Sequence, residues 1–281
     1  MVFSPALKVR ARRQAARLGL HVQGHVKAAA HAKFFDSIRP QKTNHDLVRI
    51  GGDGDGGYLV PDDLAGIKAC FSPGVDYVAS FEEGMIARNI RCFQVDASVE
   101  KSPLEGHPLV DFQRKFLGVV DDDLTLTLDR WVAEKMPSQG DDLILQMDIE
   151  GAEWLALINA SEATLARFRI ILIEFHDFEN IFQHFAFDLI SSVFDKLLRQ
   201  FVIVHVHPNN CAPLVNGRNF AVPSVLEYSL IRRDRIVATS PAHDFPHPLD
   251  QENSSKCPKM ELPSFFYAGA GEIADQFELE S

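Results

Sequence analysis

Four short apolar runs in this chain end on an acid or a histidine. Residues 90–95 run into Asp96, 143–147 into Asp148, 170–175 into His176, and 201–206 into His207. Between runs the apolar spacing turns helical. Val78, Phe81 and Met85 follow a run at 67–71, and Ile181, Phe185, Leu189, Val193 and Leu197 follow the run at 170–175. Apolar strands alternating with helices predict an α/β fold with a mostly parallel sheet covered on both faces. Further strands are expected at 116–120 and 224–231. The late strands at 201–206 and 224–231, joined by a Pro/Asn/Gly-rich connection, predict an antiparallel pair at one edge.

Around this pattern the chain divides into three parts: a helical N-terminal arm over 1–46, a ligand-binding domain over 47–240, and a Pro-rich extension over 241–281. Seven basic groups and no acid fall in the first 35 residues. The remainder carries 21 basic against 39 acidic groups, which opposes docking to nucleic acid phosphates. No apolar run approaches the roughly 18 residues of a membrane span. The Arg-rich arm leaves peripheral membrane contact or organelle targeting as alternatives to packing on the domain. The four cysteines, Cys70, Cys92, Cys211 and Cys257, have no CxxC spacing, so reduced thiols and a cytoplasmic location are expected.

In an open parallel sheet, ligands bind beyond the carboxyl ends of the strands. The polar residues that interrupt the apolar runs fall there. Gly74 follows the first strand, and Asp96 ends the second at a spacing suited to a ribose. Gln146-Met147-Asp148-Ile149-Glu150-Gly151-Ala152-Glu153-Trp154 places three carboxylates within six residues. Glu153 reads as a helix-start acid, but Asp148 does not. His176, His205 and His207 end two later strands, and with Asp148 they are candidates for general-base chemistry. Asp148, His176 and His207 also form a candidate set for a divalent metal ion. Residues 51–57 hold five glycines around Asp53 and Asp55, a loop able to close over a ligand. Asp53-Gly54-Asp55 and Asp121-Asp122-Asp123 also match the DxD pattern of metal-dependent glycosyltransferases. A binding module without catalysis is a third reading.

Asp148-Ile149-Glu150-Gly151-Ala152-Glu153 resembles the D-[IV]-E-G-A-E motif of FkbM-type S-adenosylmethionine-dependent methyltransferases. Cys70-Phe71-Ser72-Pro73-Gly74-Val75 with Ser80-Phe81-Glu82, Cys92-Phe93-Gln94-Val95-Asp96 and Thr127-Leu128-Asp129 follow that family's order. The resemblance covers residues 47–235 and departs from the family in lacking a glycine-rich first turn. It implies a class I methyltransferase-like Rossmann fold with seven strands, the last antiparallel. It implies S-adenosylmethionine as cofactor, held by Asp55, Ser72, Gly74, Glu82, Asp96 and Asp148. The implied reaction is methyl transfer to a hydroxyl of a small-molecule or glycan substrate.

Overall fold

The structure is a computed structural model, and it describes residues 25–269 together with positions 9–10, 13–14, 16–17 and 19. Seventeen of the 46 positions expected to form the N-terminal arm, Lys8 and Arg12 among them, therefore lie outside the described residues. Seven strands build the main sheet: β1 (Ala69–Pro73), β2 (Arg91–Val95), β3 (Val110–Gln113), β4 (Leu143–Met147), β5 (Phe168–Phe175), β6 (Phe201–Pro208) and β7 (Leu226–Arg232). Their order across the sheet is β6-β7-β5-β4-β1-β2-β3. β7 runs antiparallel to both neighbours, and the other pairings are parallel. This is the strand order and single reversal of a class I methyltransferase-like Rossmann fold.

The two faces of the sheet follow from a period of two. Leu143, Leu145 and Met147 of β4 enter the larger apolar cluster, while Ile144 enters the smaller. On the larger side lie α1 (Ala28–Ser37), α3 (Leu128–Lys135), α4 (Glu153–Asn159) and α5 (His184–Leu198). Trp131 of α3 is fully buried edge-on to Phe71 of β1, with centroids 4.8 Å apart. α3 starts where Thr127 Oγ1 accepts from Arg130 N. The smaller side is covered by α2 (Ser80–Ile86) and by an antiparallel hairpin, Leu47–Ile50 with Tyr58–Pro61. The glycine-rich segment is the loop of that hairpin.

Three expectations are corrected. The third strand is Val110–Gln113, whose acid and half-buried side chains hide it from an apolar-run search. The segment expected at 116–120 supplies Phe116–Gly118, which pairs with Thr125–Thr127 outside the main sheet. On α5 the buried face is Ile190, Val193, Phe194 and Leu197, while Phe185 is 76% exposed and Ile181 precedes the helix in a 3-10 turn. The four-residue interval selected a stripe that drifts around the helix, because a turn holds 3.6 residues.

The Pro-rich extension is draped over the domain, with Phe265 and Phe266 buried against Phe35 of α1. It is also tied covalently. Cys211 and Cys257 form a disulfide with Cα atoms 5.3 Å apart, and Cys70 and Cys92 remain buried free thiols. The reading of all four cysteines as reduced is overturned, and the cytoplasmic expectation loses the support it drew from it. The pairing was invisible in the sequence because 46 positions separate the partners and only the folded extension brings them together. No helix among the described residues is long and apolar enough to cross a membrane.

Closing a loop of that length stabilises the fold by about 4 kcal/mol in the chain-entropy model. The double substitution Cys211→Ser, Cys257→Ser is expected to lower urea-unfolding stability by roughly 2–4 kcal/mol. An unchanged midpoint would show that the link contributes nothing.

Candidate active site

The site forms where the turns after β1 and β4 touch. Gly74 has φ +89°, and a Cβ built there would lie 1.5 Å from the carbonyl oxygen of Asp148. Only glycine fits that approach. Gly74 N donates to Val95 O, and Asp148 N donates to Pro73 O, so β1, β2 and β4 are locked at one level. Asp96, at the end of β2, accepts from Val75 N at 2.8 Å through Oδ2 and from Ser98 N at 2.7 Å through Oδ1.

These contacts border a cavity of about 320 Å³ lined by Asp55, Gly74, Glu82, Asp96 and Asp148, with Glu150 at its edge. Five of the six residues expected to hold the cofactor thus share one cavity. Ser72 does not. It is fully buried behind the wall, where Oγ donates to Gln146 Oε1 at 2.7 Å and contacts Glu82 Oε1. Ser72 is the fourth residue of β1, so its side chain faces the sheet's covered side instead of the open rim. Burial pushes the Glu82 carboxyl up from its ordinary range, against its bonds to Ser72 and Gln94.

Asp148 faces this cavity from the β4 end, and its Oδ1 is buried without a hydrogen-bond partner. Burial is the main cause that raises its pKa to about 7, with Glu150, Glu153 and Asp55 adding to it and His176 opposing. His176 Nε2 lies 3.9 Å from Asp148 Oδ1 and 3.3 Å from Glu150 Oε2. Its Nδ1 lies 3.3 Å from Glu153 Oε1, and Glu153 is fully buried. Burial opposes the imidazolium, but Glu153, Asp148 and Glu174 outweigh it and raise the His176 pKa to about 9.

Sequence reasoning gave Glu153 to the helix start, and it does fill that place, accepting from Ile149 N and Gly151 N. Its second task, orienting His176, was missed. Trp154 was missed as well: its Nε1 donates to His176 O at 2.8 Å, and its ring stacks on Phe175. The tight turns carry backbone strain. Glu150 and Asp177 both sit at φ +55°, a conformation costing of order 1–3 kcal/mol for a non-glycine residue.

His205 and His207, expected beside Asp148, lie elsewhere. β7 and β5 stand between β6 and β4. Three strand spacings amount to about 14 Å. The two histidines share Asp250 of the extension instead. The metal set Asp148, His176 and His207 is therefore parted, and Glu150 takes the third place near Asp148 and His176. The sequence pattern correctly put both histidines at a strand end but could not show that β7 inserts between β5 and β6. Asp121 and Asp122 are turn-capping acids, accepting from Thr127 N and from Leu124 N and Thr125 N. That arrangement gives the Asp121-Asp122-Asp123 triplet a local structural use.

Residues 92–202 match the family model described as the methyltransferase FkbM domain. Over this stretch the chain is similar to FkbM methyltransferases. The matched stretch runs from β2 through α5 to the start of β6 and includes Asp96, Asp148, Glu153 and His176. A methyltransferase domain of this kind implies S-adenosylmethionine, and the cavity has the features it needs: a turn that a Cβ would fill, and an acid at the second strand end. Among solved structures, the chain is similar to an rRNA methylase from Streptococcus thermophilus. The identity is 10% and the TM-score 0.34, over 72% of this chain and 93% of that one. A putative hemolysin from Streptococcus thermophilus is similar at 7% identity and TM-score 0.33, over 77% of this chain and 70% of that one. No curated protein sequence matches the chain at a significant level. The fold assignment rests on the strand order.

Two outcomes follow from this geometry. Gly74→Ala is expected to cost at least about 2 kcal/mol of stability, because a backbone atom must move; denaturant unfolding measures it. The imidazolium of His176 is held more tightly folded than unfolded. Its stabilising contribution is present in full below about pH 6.5 and is lost as pH rises towards 9. The loss should be of order 3 kcal/mol across that window. His176→Gln should flatten this part of a stability–pH curve, and an unaltered slope would place the titration elsewhere.

Proposed function

We propose that the protein is an S-adenosylmethionine-dependent O-methyltransferase acting on a hydroxyl of a sugar or glycan. The observation that carries this reading is the cluster of Asp148, His176 and Glu153 at the wall of the Gly74–Asp96 cavity. S-adenosylmethionine, when bound, supplies an electrophilic sulfonium methyl group and leaves as the neutral thioether. Glycine at position 74 admits it to the rim, Asp96 offers its carboxylate to the ribose, and the acids around the cavity favour its positive charge.

A hydroxyl is a poor nucleophile until its proton is removed. Asp148, with a pKa near 7, is suited to take that proton at neutral pH, and a positioned base adds roughly 10²–10⁴ in rate. His176 holds a positive charge beside Asp148, and Glu153 fixes which imidazole edge faces it. In-line alignment supplies much of the remainder, roughly 7–11 kcal/mol for well-oriented groups. A second cavity of about 590 Å³ opens beside the Phe182 and Phe220 rings, with Lys27 and Arg218 at its edge. It shares no lining residue with the Gly74–Asp96 cavity, so the glycan reading rests on the family resemblance.

A divalent ion at Asp148, Glu150 and His176 is the rival arrangement, since one ligand atom from each lies within 4.8 Å of the others. Activity surviving a chelator would leave the metal-free base as the mechanism. Asp96→Ala should weaken S-adenosylhomocysteine binding tenfold or more by calorimetry, from the loss of a charged hydrogen bond. Asp148→Asn should retain that binding while methyl transfer to a glycan panel falls by about 10²-fold or more. Undiminished transfer would remove Asp148 from the chemistry.

A further inference from the structure

His205 and His207 are both buried, two residues apart on β6, and their rings lie nearly parallel, 15° apart with centroids 6.4 Å from each other. Both face Asp250, which the Pro-rich extension brings 45 positions along the chain to the sheet edge. The three side chains are 4%, 10% and 7% exposed. Asp250 Oδ1 is 2.8 Å from His205 Nε2. Asp250 Oδ2 accepts from His247 N at 2.7 Å, which fixes the carboxylate plane.

His207 is the unexplained member. Its Nδ1 stops 3.6 Å from Asp250 Oδ2, outside hydrogen-bond reach, and its Nε2 is buried with no partner. A buried imidazole nitrogen without a partner costs free energy unless something else occupies the gap. One ligand atom from each of His205, His207 and Asp250 lies within 4.8 Å of the others, and a shift of about an ångström closes them to ligand distance.

We propose that His205, His207 and Asp250 form a binding site for a transition-metal ion of the zinc class, separate from the methyl-transfer site. Two imidazoles and one carboxylate are a donor set suited to Zn²⁺, which leaves a fourth position for water or a further ligand. The Phe245 ring stacks on His205 at 10° and 5.7 Å, and shields the site on that side. The backbone bond that holds Asp250 plays the outer-shell role such carboxylates need.

The ion would fasten the extension to β6 beside the Cys211–Cys257 link. The fastened segment reaches the cofactor cavity: Asn253 O accepts from Asp55 N at 2.9 Å, and Asn253 Nδ2 donates to Glu227 at 2.6 Å. Metal occupancy therefore bears on the glycine-rich loop as well as on the fold.

The test uses the full chain, free of any affinity tag that binds metal and stripped with a chelator. Zn²⁺ is titrated by calorimetry, Co²⁺ is added for its visible tetrahedral absorption, and Tm is followed with and without Zn²⁺. The expected result is one Zn²⁺ equivalent and a raised Tm that persist in His176→Ala and are lost in His205→Ala and in Asp250→Asn. Retention of the disulfide in each variant, scored by thiol titration, shows that the extension still docks. No Zn²⁺ binding by the wild-type chain, or binding that disappears in His176→Ala but survives in His205→Ala, would overturn the proposal.

Discussion

The site depends on a backbone contact with no room in it: Gly74 under the carbonyl of Asp148. A parallel sheet brings the ends of β1 and β4 to one level, but the approach of their turns requires a residue with positive φ and no Cβ. With that contact made, Asp96 and Asp148 border the same cavity from β2 and β4, and Val75 N is free to bond the Asp96 carboxylate. The chain lacks a glycine-rich first turn, and this single glycine performs the close approach.

Crowded acids are the second constraint. Asp148, Glu150 and Glu153 fall within six residues, and Glu174 and Glu227 face each other in register one and two strands away. Burial raises the carboxyls of Glu174 and Glu227, and amide groups share the load: Asn209 donates to Glu174, and Asn253 donates to Glu227. His176 supplies a positive charge at the centre. Such a cluster favours a cationic ligand and a proton acceptor poised near neutral pH, which is what the proposed methyl transfer from a sulfonium to a hydroxyl asks of a protein.

The extension completes the rim. Its amide Asn253 meets the sheet at Glu227 and the glycine-rich loop at Asp55, its acid Asp250 meets the β6 histidines, and its aromatic pair closes over α1. A Pro-rich segment with no strong periodicity is thus held by specific polar contacts and one covalent link, none of which needs regular secondary structure.

The sequence by itself determined the layered α/β class, the level of the rim, and the identity of Gly74, Asp96, Asp148 and His176 as a group. Those readings rest on local chemistry: apolar runs of strand length, helical spacing, and polar residues at run ends. β3 escaped because an edge strand need not be apolar. The tertiary structure alone decided which polar ends meet. It placed β7 between β5 and β6 and so carried His205 and His207 away from Asp148, sank Ser72 behind the cavity wall, and joined Cys211 to Cys257. These outcomes depend on strand order and chain return, which are set by packing between residues far apart in sequence, and no local pattern encodes them.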